Sequence, residues 1–83
     1  MTISIIVPTF NEEKIIGELV NYLDRHKDQH VLEIIVADGN STDATMKVAR
    51  AAGARLVVAP KKGRAVQMNY GASIASGDIL YFI

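Results

Sequence analysis

Four short apolar runs alternate with three segments of helical periodicity, and this alternation is the feature that most constrains the fold. The apolar runs contain many β-branched residues and are predicted as strands at Ser4–Val7, Val31–Ala37, Arg55–Ala59 and Asp78–Ile83. Three helices are expected between them. The first is expected at about Glu12–Lys27 and the third at about Arg64–Ala75. The second is expected to begin with a cap at Asn40, Ser41 or Thr42 and to end at about Ala52. Helical crossovers between buried strands predict an α/β fold, a mostly parallel open sheet in the order β-α-β-α-β-α-β with helices on both faces.

Two residues are predicted to mark helix ends. Asn11 stands before two acidic residues and an amphipathic stretch, so it is expected to be the N-cap of the first helix. Gly53 follows the second helical stretch, where a glycine in the left-handed conformation commonly ends a helix.

The composition excludes several classes of protein. The chain has 83 residues, 49% hydrophobic residues, a formal net charge of zero and no cysteine, which allows one small globular domain without disulfides or thiolate metal ligands. The start, "MTISIIVPTFNEE", lacks the basic region of a signal peptide, and no apolar run approaches the roughly 18 residues of a membrane span. We expect a cytoplasmic protein, peripheral at a membrane only in some longer form, with no nucleic-acid partner.

Ligands of open parallel sheets bind beyond the carboxyl ends of the strands, which here are followed by "PTFNEE", "DGNSTD" and "PKKGRAVQMN". Neither a GxGxxG turn after the first strand nor a GxxxxGK[ST] loop occurs, so the common phosphate-binding loops are excluded. A response-regulator receiver domain also fits poorly, because Pro8 and Thr9 stand where its acidic pair is required. The basic cluster of Lys61, Lys62 and Arg64 beside Gly63 would suit a phosphate group.

Three blocks of sequence, "SIIVPTFNEE", "EIIVADGNSTDAT" and "KKGRAVQMNYGASIASGDILYFI", together resemble the opening of a family 2 glycosyltransferase with the Rossmann-like GT-A fold. The resemblance implies that a nucleotide-sugar donor, expected to be a UDP-sugar, binds at these strand ends. It places the nucleotide against Pro8, Thr9 and Glu12, with Asp38 reading the edge of the base and Gly39 allowing the backbone close to the ring. Gly63 and Arg64 match the family's glycine-basic pair near the diphosphate, whereas Asn40 stands where a glycine is common.

The resemblance also implies a divalent metal, Mn or Mg, whose ligands follow the fourth strand in the family. We therefore assign no catalytic residue and no metal ligand within the chain. Residues 1–83 are expected to be the N-terminal nucleotide-sugar-binding part, with an incomplete sheet and without the acceptor-binding half. The chain alone is expected to be inactive, with an aspartate within about five residues after Ile83. The apolar last strand is expected to promote self-association.

Each site residue has an alternative, purely structural interpretation. Asp38 could cap its own turn, and Glu12 could serve only the helix dipole. Asp43 is expected to start a helix, Lys61 and Lys62 to be solvated loop charges, and Met68 and Tyr70 to pack. Gln67 and Asn69 are either functional or buried polar groups that join the third helix to the first loops. The two histidines, His26 and His30, lie far from the ligand edge and are not expected to bind a metal.

Two other functions compete with the glycosyltransferase interpretation. One is a non-catalytic nucleotide-binding or assembly module. The other is a nucleotidyltransferase, which would usually carry a glycine-rich loop with a basic residue directly after the first strand, where this chain has "PTFNEE".

Overall fold

The computed structural model describes all 83 residues as one four-stranded sheet with three helices. The strands are β1 (Ile3–Thr9), β2 (Val31–Asp38), β3 (Arg55–Val58) and β4 (Ile79–Phe82), and the helices are α1 (Ile16–His26), α2 (Thr45–Ala51) and α3 (Arg64–Ile74). All strand pairs are parallel, in the order β3-β2-β1-β4. The predicted α/β architecture is confirmed. No helix is both long and apolar enough to cross a membrane.

The strands alternate their side chains between two faces, and each face has its own helices. Helices α1 and α2 cover the larger core, which consists of Ile5, Val7, Ile16, Val20, Ile34, Val36, Ala49 and Ala54. On the opposite face, α3 covers Ile6, Ile35 and Ala37. Helix α3 approaches the sheet closely because Gly71 has no side chain: a Cβ there would lie 2.7 Å from Cγ2 of Ile6.

Strand β1 continues through Pro8 to Thr9, although the sequence predicted that it would end at Val7. Odd-numbered residues of β1 bond to β2, as when Gly39 N–H donates to the Thr9 carbonyl. Even-numbered residues face β4, which pairs with β1 only as far as Ile6. The ladder between β1 and β4 reaches the bond from the Ile83 N–H to the Ile6 carbonyl, so Pro8, which has no N–H to donate, lies at the end of this pairing.

Two of the predicted helix starts are wrong. Asn11 adopts a left-handed conformation (φ 51°) and its side chain accepts from the N–H of Thr42 instead of capping α1, which begins at Ile16. None of the three proposed caps starts α2, which begins at Thr45, where the side chain of Asp43 accepts from the Thr45 N–H. The polar groups of these two loops bond to the other loop or to nearby turns. Each helix therefore begins a few residues further along the chain than predicted.

One backbone prediction, the left-handed glycine at the end of the second helix, is confirmed. Gly53 has φ 98° and directly follows the last residues of α2. Asn40 adopts φ 71°, the left-handed conformation that asparagine tolerates better than most residues.

Candidate functional site

A cleft of about 230 Å³ opens between the carboxyl end of β1 and the loop that precedes α3. It is lined by Pro8, Thr9, Phe10, Glu12, Lys62, Gly63, Arg64 and Gln67. The structure thus brings together five of the seven residues predicted to bind the nucleotide: Pro8, Thr9, Glu12, Gly63 and Arg64. The other two, Asp38 and Gly39, are buried behind the cleft at the end of β2.

One side of the cleft carries two basic side chains. Arg64 is the first residue of α3, so it lies at the helix end that carries positive partial charge. Lys62 extends over the ring of Phe10, with its Nζ 4.2 Å from the ring centroid. Gly63 between them adopts φ 144°, a conformation that residues with a side chain rarely adopt. This side of the cleft is suited to an anionic group.

Two assignments change with the structure. Lys62 was expected to be a solvated loop charge, but it lines the cleft as well as being exposed. Phe10 was missed, and the only signal in the sequence was its place immediately after Thr9 at the end of β1. Lys61 is exposed and does not line the cleft.

Asp38 is completely buried, and its carboxylate accepts three hydrogen bonds. Oδ1 accepts from the hydroxyls of Ser41 (2.6 Å) and Thr9 (3.1 Å), and Oδ2 accepts from the N–H of Ser41 (2.6 Å). This geometry is the turn cap that was considered as the alternative role. In this structure Asp38 fixes the end of β2 and the position of Thr9, and its contact with a base stays a prediction.

The loop after β1 is joined to the loop after β2 by side chains that accept backbone N–H groups. The N–H of Asn11 donates to Ser41 Oγ (2.9 Å), and that of Glu12 donates to Thr45 Oγ1 (2.7 Å). The N–H of Glu13 donates to Asp43, whose other oxygen accepts from Thr45.

Desolvation alone would raise the pKa of Asp43, but the hydrogen bonds from Thr45 and Glu13 outweigh it and lower that pKa. Asp43 therefore serves the start of α2, as expected, and also joins the two loops.

Gln67 is buried and its amide makes three hydrogen bonds. Its Nε2 donates to the carbonyls of Thr9 (2.7 Å) and Ala37 (2.9 Å), and its Oε1 accepts from the N–H of Gly63 (2.9 Å). The interpretation as a buried group joining α3 to the first loops is confirmed for Gln67. It is wrong for Asn69, which is exposed, and Tyr70, expected to pack, is also exposed.

No group of three or more His, Asp or Glu side chains is arranged to hold a metal ion. The two histidines are exposed and lie at the opposite end of the sheet from the cleft. The residues of this chain do not by themselves form a metal site.

Comparison with known sequences decides the family. The sequence model described as "Glycosyl transferase family 2" matches residues 4–83, nearly the whole chain. The chain belongs to glycosyl transferase family 2. The resemblance carried by the three sequence blocks is confirmed, and so is the fold that it implied.

The relatives include proteins named as sugar-transferring enzymes. A glucosyl-3-phosphoglycerate synthase of Mycolicibacterium paratuberculosis is 38% identical over 92 residues, covering 99% of this chain and 27% of that protein. A dolichyl N-acetyl-alpha-D-glucosaminyl phosphate 3-beta-D-2,3-diacetamido-2,3-dideoxy-beta-D-glucuronosyltransferase of Methanococcus voltae is 34% identical, covering 92% of this chain and 26% of that protein. The chain therefore spans less than a third of the length of these relatives.

Solved structures show the same relation. Glucosyl-3-phosphoglycerate synthase of Mycobacterium tuberculosis, in complex with Mn²⁺, UDP and glucosyl-3-phosphoglycerate, superposes with a TM-score of 0.89 at 36% identity, covering 99% of this chain and 32% of that one. The same enzyme in complex with Mg²⁺ and UDP gives a TM-score of 0.88. This relative is described in complex with UDP and a divalent metal, Mn²⁺ or Mg²⁺, which are the metals that the resemblance implied.

Proposed function

We propose that the cleft binds the UDP part of a nucleotide-sugar donor and that the whole protein transfers the sugar to an acceptor. The observation that carries the proposal is the cleft itself, which joins the end of β1 to the basic start of α3. A solved relative with the same fold is described in complex with UDP-glucose, which supports a UDP-linked donor. The relatives differ in the sugar that they are named for, so the proposal specifies the nucleotide and not the sugar.

The two sides of the cleft fit the two parts of such a ligand. Lys62 and Arg64 offer positive charge and hydrogen-bond donors to the diphosphate, and the end of α3 adds its dipole. On the other side, the carboxylate of Glu12 accepts hydrogen bonds and therefore suits ribose hydroxyls or an imide N–H. Asp38 supports this side through its bonds to Thr9 and Ser41.

The part of the reaction that these residues can perform is donor binding. They supply no cluster that would hold the divalent metal of the relatives. The proposal for this chain is therefore tested on the nucleotide alone.

The test compares UDP with uridine by isothermal titration calorimetry. We expect Arg64→Ala to weaken UDP about tenfold, the loss of roughly one charge-assisted hydrogen bond, and to leave uridine almost unchanged. Arg50→Ala is the matched control, because Arg50 is also exposed and helical but lies outside the cleft. Failure of the unaltered chain to bind UDP, or an equal loss for both ligands, would contradict the proposal.

A further inference from the structure

The amide of Gln67 connects three chain segments that are far apart in sequence. It reaches the ends of β1 and β2 through the carbonyls of Thr9 and Ala37, and the start of α3 through the N–H of Gly63. The two carbonyls can only accept and the N–H can only donate, so the orientation of the amide is determined by its surroundings. A glutamate would present an acceptor to two carbonyls, and an asparagine is one methylene shorter.

Gly39 leaves the space that this amide occupies. A Cβ at Gly39 would lie 2.7 Å from Oε1 of Gln67 and 2.9 Å from its Cδ, which is closer than real side chains approach. The backbone of Gly39 has no unusual positive φ, so its glycine is explained by the nearby amide. The contact with Gln67 is one physical reason for a glycine at position 39, and the close approach of a base ring to Gly39 stays a prediction.

We propose that Gln67 is a positioning residue that sets the distance between the two sides of the cleft. Its Oε1 holds the Gly63 N–H, and Arg64 follows directly in the chain. Its Nε2 holds the Thr9 carbonyl, beside Pro8 on the opposite side. The amide thus determines where the basic start of α3 stands relative to the end of β1. The inference rests on the proposed function, because it assigns the diphosphate to the α3 side.

This role predicts an effect that a purely structural glutamine would not have. Loss of the amide should displace the Gly63–Arg64 turn, because Gly63 loses the partner of its N–H, whereas the Thr9 carbonyl keeps the N–H of Gly39. UDP, which needs both sides of the cleft, should therefore lose more affinity than uridine. A general loss of stability would reduce the folded fraction and weaken both ligands alike.

The first experiment measures UDP and uridine affinities by calorimetry for Gln67→Ala. Asn69→Ala is the control, since Asn69 lies on the same helix, is exposed and makes no side-chain hydrogen bond. We expect Gln67→Ala to weaken UDP about tenfold and uridine less than about twofold, with neither changed in Asn69→Ala. If Gln67→Ala and Asn69→Ala had the same ratio of UDP affinity to uridine affinity, the inference would be overturned.

A second variant, Gln67→Glu, keeps the shape of the side chain and makes the result depend on pH. Burial against two carbonyls should raise the pKa of the introduced carboxyl, which can donate a hydrogen bond only when protonated. Its UDP-to-uridine affinity ratio should therefore rise toward that of the unaltered chain between pH 7 and about pH 5. The unaltered chain, titrated over the same range, corrects for ionisation of UDP. A ratio that follows the unaltered chain at every pH would overturn the inference even if Gln67→Ala did not fold.

Gly39→Ala tests the same contact from the other side. We expect it to weaken UDP by displacing the Gln67 amide, and to cause no further loss when combined with Gln67→Ala. Additive losses would mean that Gly39 acts independently, and would count against the inference. Failure of the unaltered chain to bind UDP would overturn the proposed function and the inference together. If the unaltered chain binds UDP and the variants keep its UDP-to-uridine affinity ratio, the inference is overturned and the proposed function stands.

Discussion

Most of the polar residues at the strand ends bond to one another, and this limits what a sequence can reveal about them. The sequence identified Asp38 by its place after a buried strand, but it left two roles open. The structure shows why: the carboxylate is surrounded by donors from Ser41 and Thr9, one nearby in sequence and one distant. Hydroxyl and amide groups have many possible partners, and only the packed loops select among them. The same reason explains why the sequence did not show which of Gln67 and Asn69 is the buried polar group that joins α3 to the first loops.

The two roles of Asp38 predict different results for Asp38→Ala. If Asp38 acts as a buried cap, its removal leaves several hydrogen-bond donors without an acceptor. The free energy of unfolding should then fall by about 2–4 kcal/mol. Urea denaturation followed by circular dichroism measures this. Asp24→Ala is the control, because Asp24 pairs only with Lys27 at the surface and should change stability little. Unaltered stability combined with weaker UDP binding would instead favour a direct contact with the base.

At the scale of elements, the order of strands and helices and the start of α3 at Arg64 followed from the sequence, whereas the starts of α1 and α2 did not. Alternating apolar runs and helical periods reflect burial. Because burial involves many residues of each element, the pattern does not depend on any single contact. The first turns of α1 and α2 depend on single hydrogen bonds, such as those from Glu12 to Thr45 and from Thr42 to Asn11, across 33 and 31 residues of sequence. No local pattern encodes such distant partners.

One charged residue joins elements at the end of the sheet opposite the cleft. Glu33 of β2 accepts from Ser4 of β1 (2.7 Å), from the N–H of Ser76 (2.7 Å) and from Arg55 of β3 (2.9 Å). Burial would raise its pKa, but the hydrogen bonds from Ser76, Ser4 and Arg55, with the charge of Arg55, outweigh burial and lower it. Glu33 thus fixes the turn between α3 and β4 to the sheet.

The lowered pKa of Glu33 gives stability a defined pH dependence. A carboxyl with a lower pKa in the folded state stabilises the fold above its unfolded pKa of about 4.3, and this stabilisation disappears as the pH falls through the folded value. Glu33→Gln should therefore reduce the free energy of unfolding at pH 7, by roughly 1–2 kcal/mol. The difference from the unaltered chain should shrink below about pH 4.

Urea titrations at several pH values test this, with Glu18→Gln as the control. Glu18 is an exposed residue of α1, and its replacement should give no pH-dependent difference of this kind. A difference for Glu33→Gln that stayed constant down to pH 3 would show that the charge does not stabilise the fold.

At the scale of the whole molecule, β4 is an edge strand that no helix covers. Its side chains and the following Ile83 remain exposed: Ile79 43%, Leu80 37%, Tyr81 60%, Phe82 39% and Ile83 37%. The sequence predicted an apolar last strand, and the sheet order places it beside β1 with its other edge unpaired. A strand edge without proline or charge readily pairs with another chain.

We therefore expect the 83-residue chain to self-associate through β4. Tyr81→Lys should reduce this association, because it places a charge in the middle of the strand at its most exposed position. Tyr22→Lys is the matched control, since Tyr22 is 53% exposed but lies on α1. Sedimentation velocity over a range of concentrations measures the effect: the unaltered chain and Tyr22→Lys should shift to larger species as concentration rises, and Tyr81→Lys should do so less. A monomer at all concentrations for the unaltered chain, or equal association of the two lysine variants, would exclude β4 as the contact.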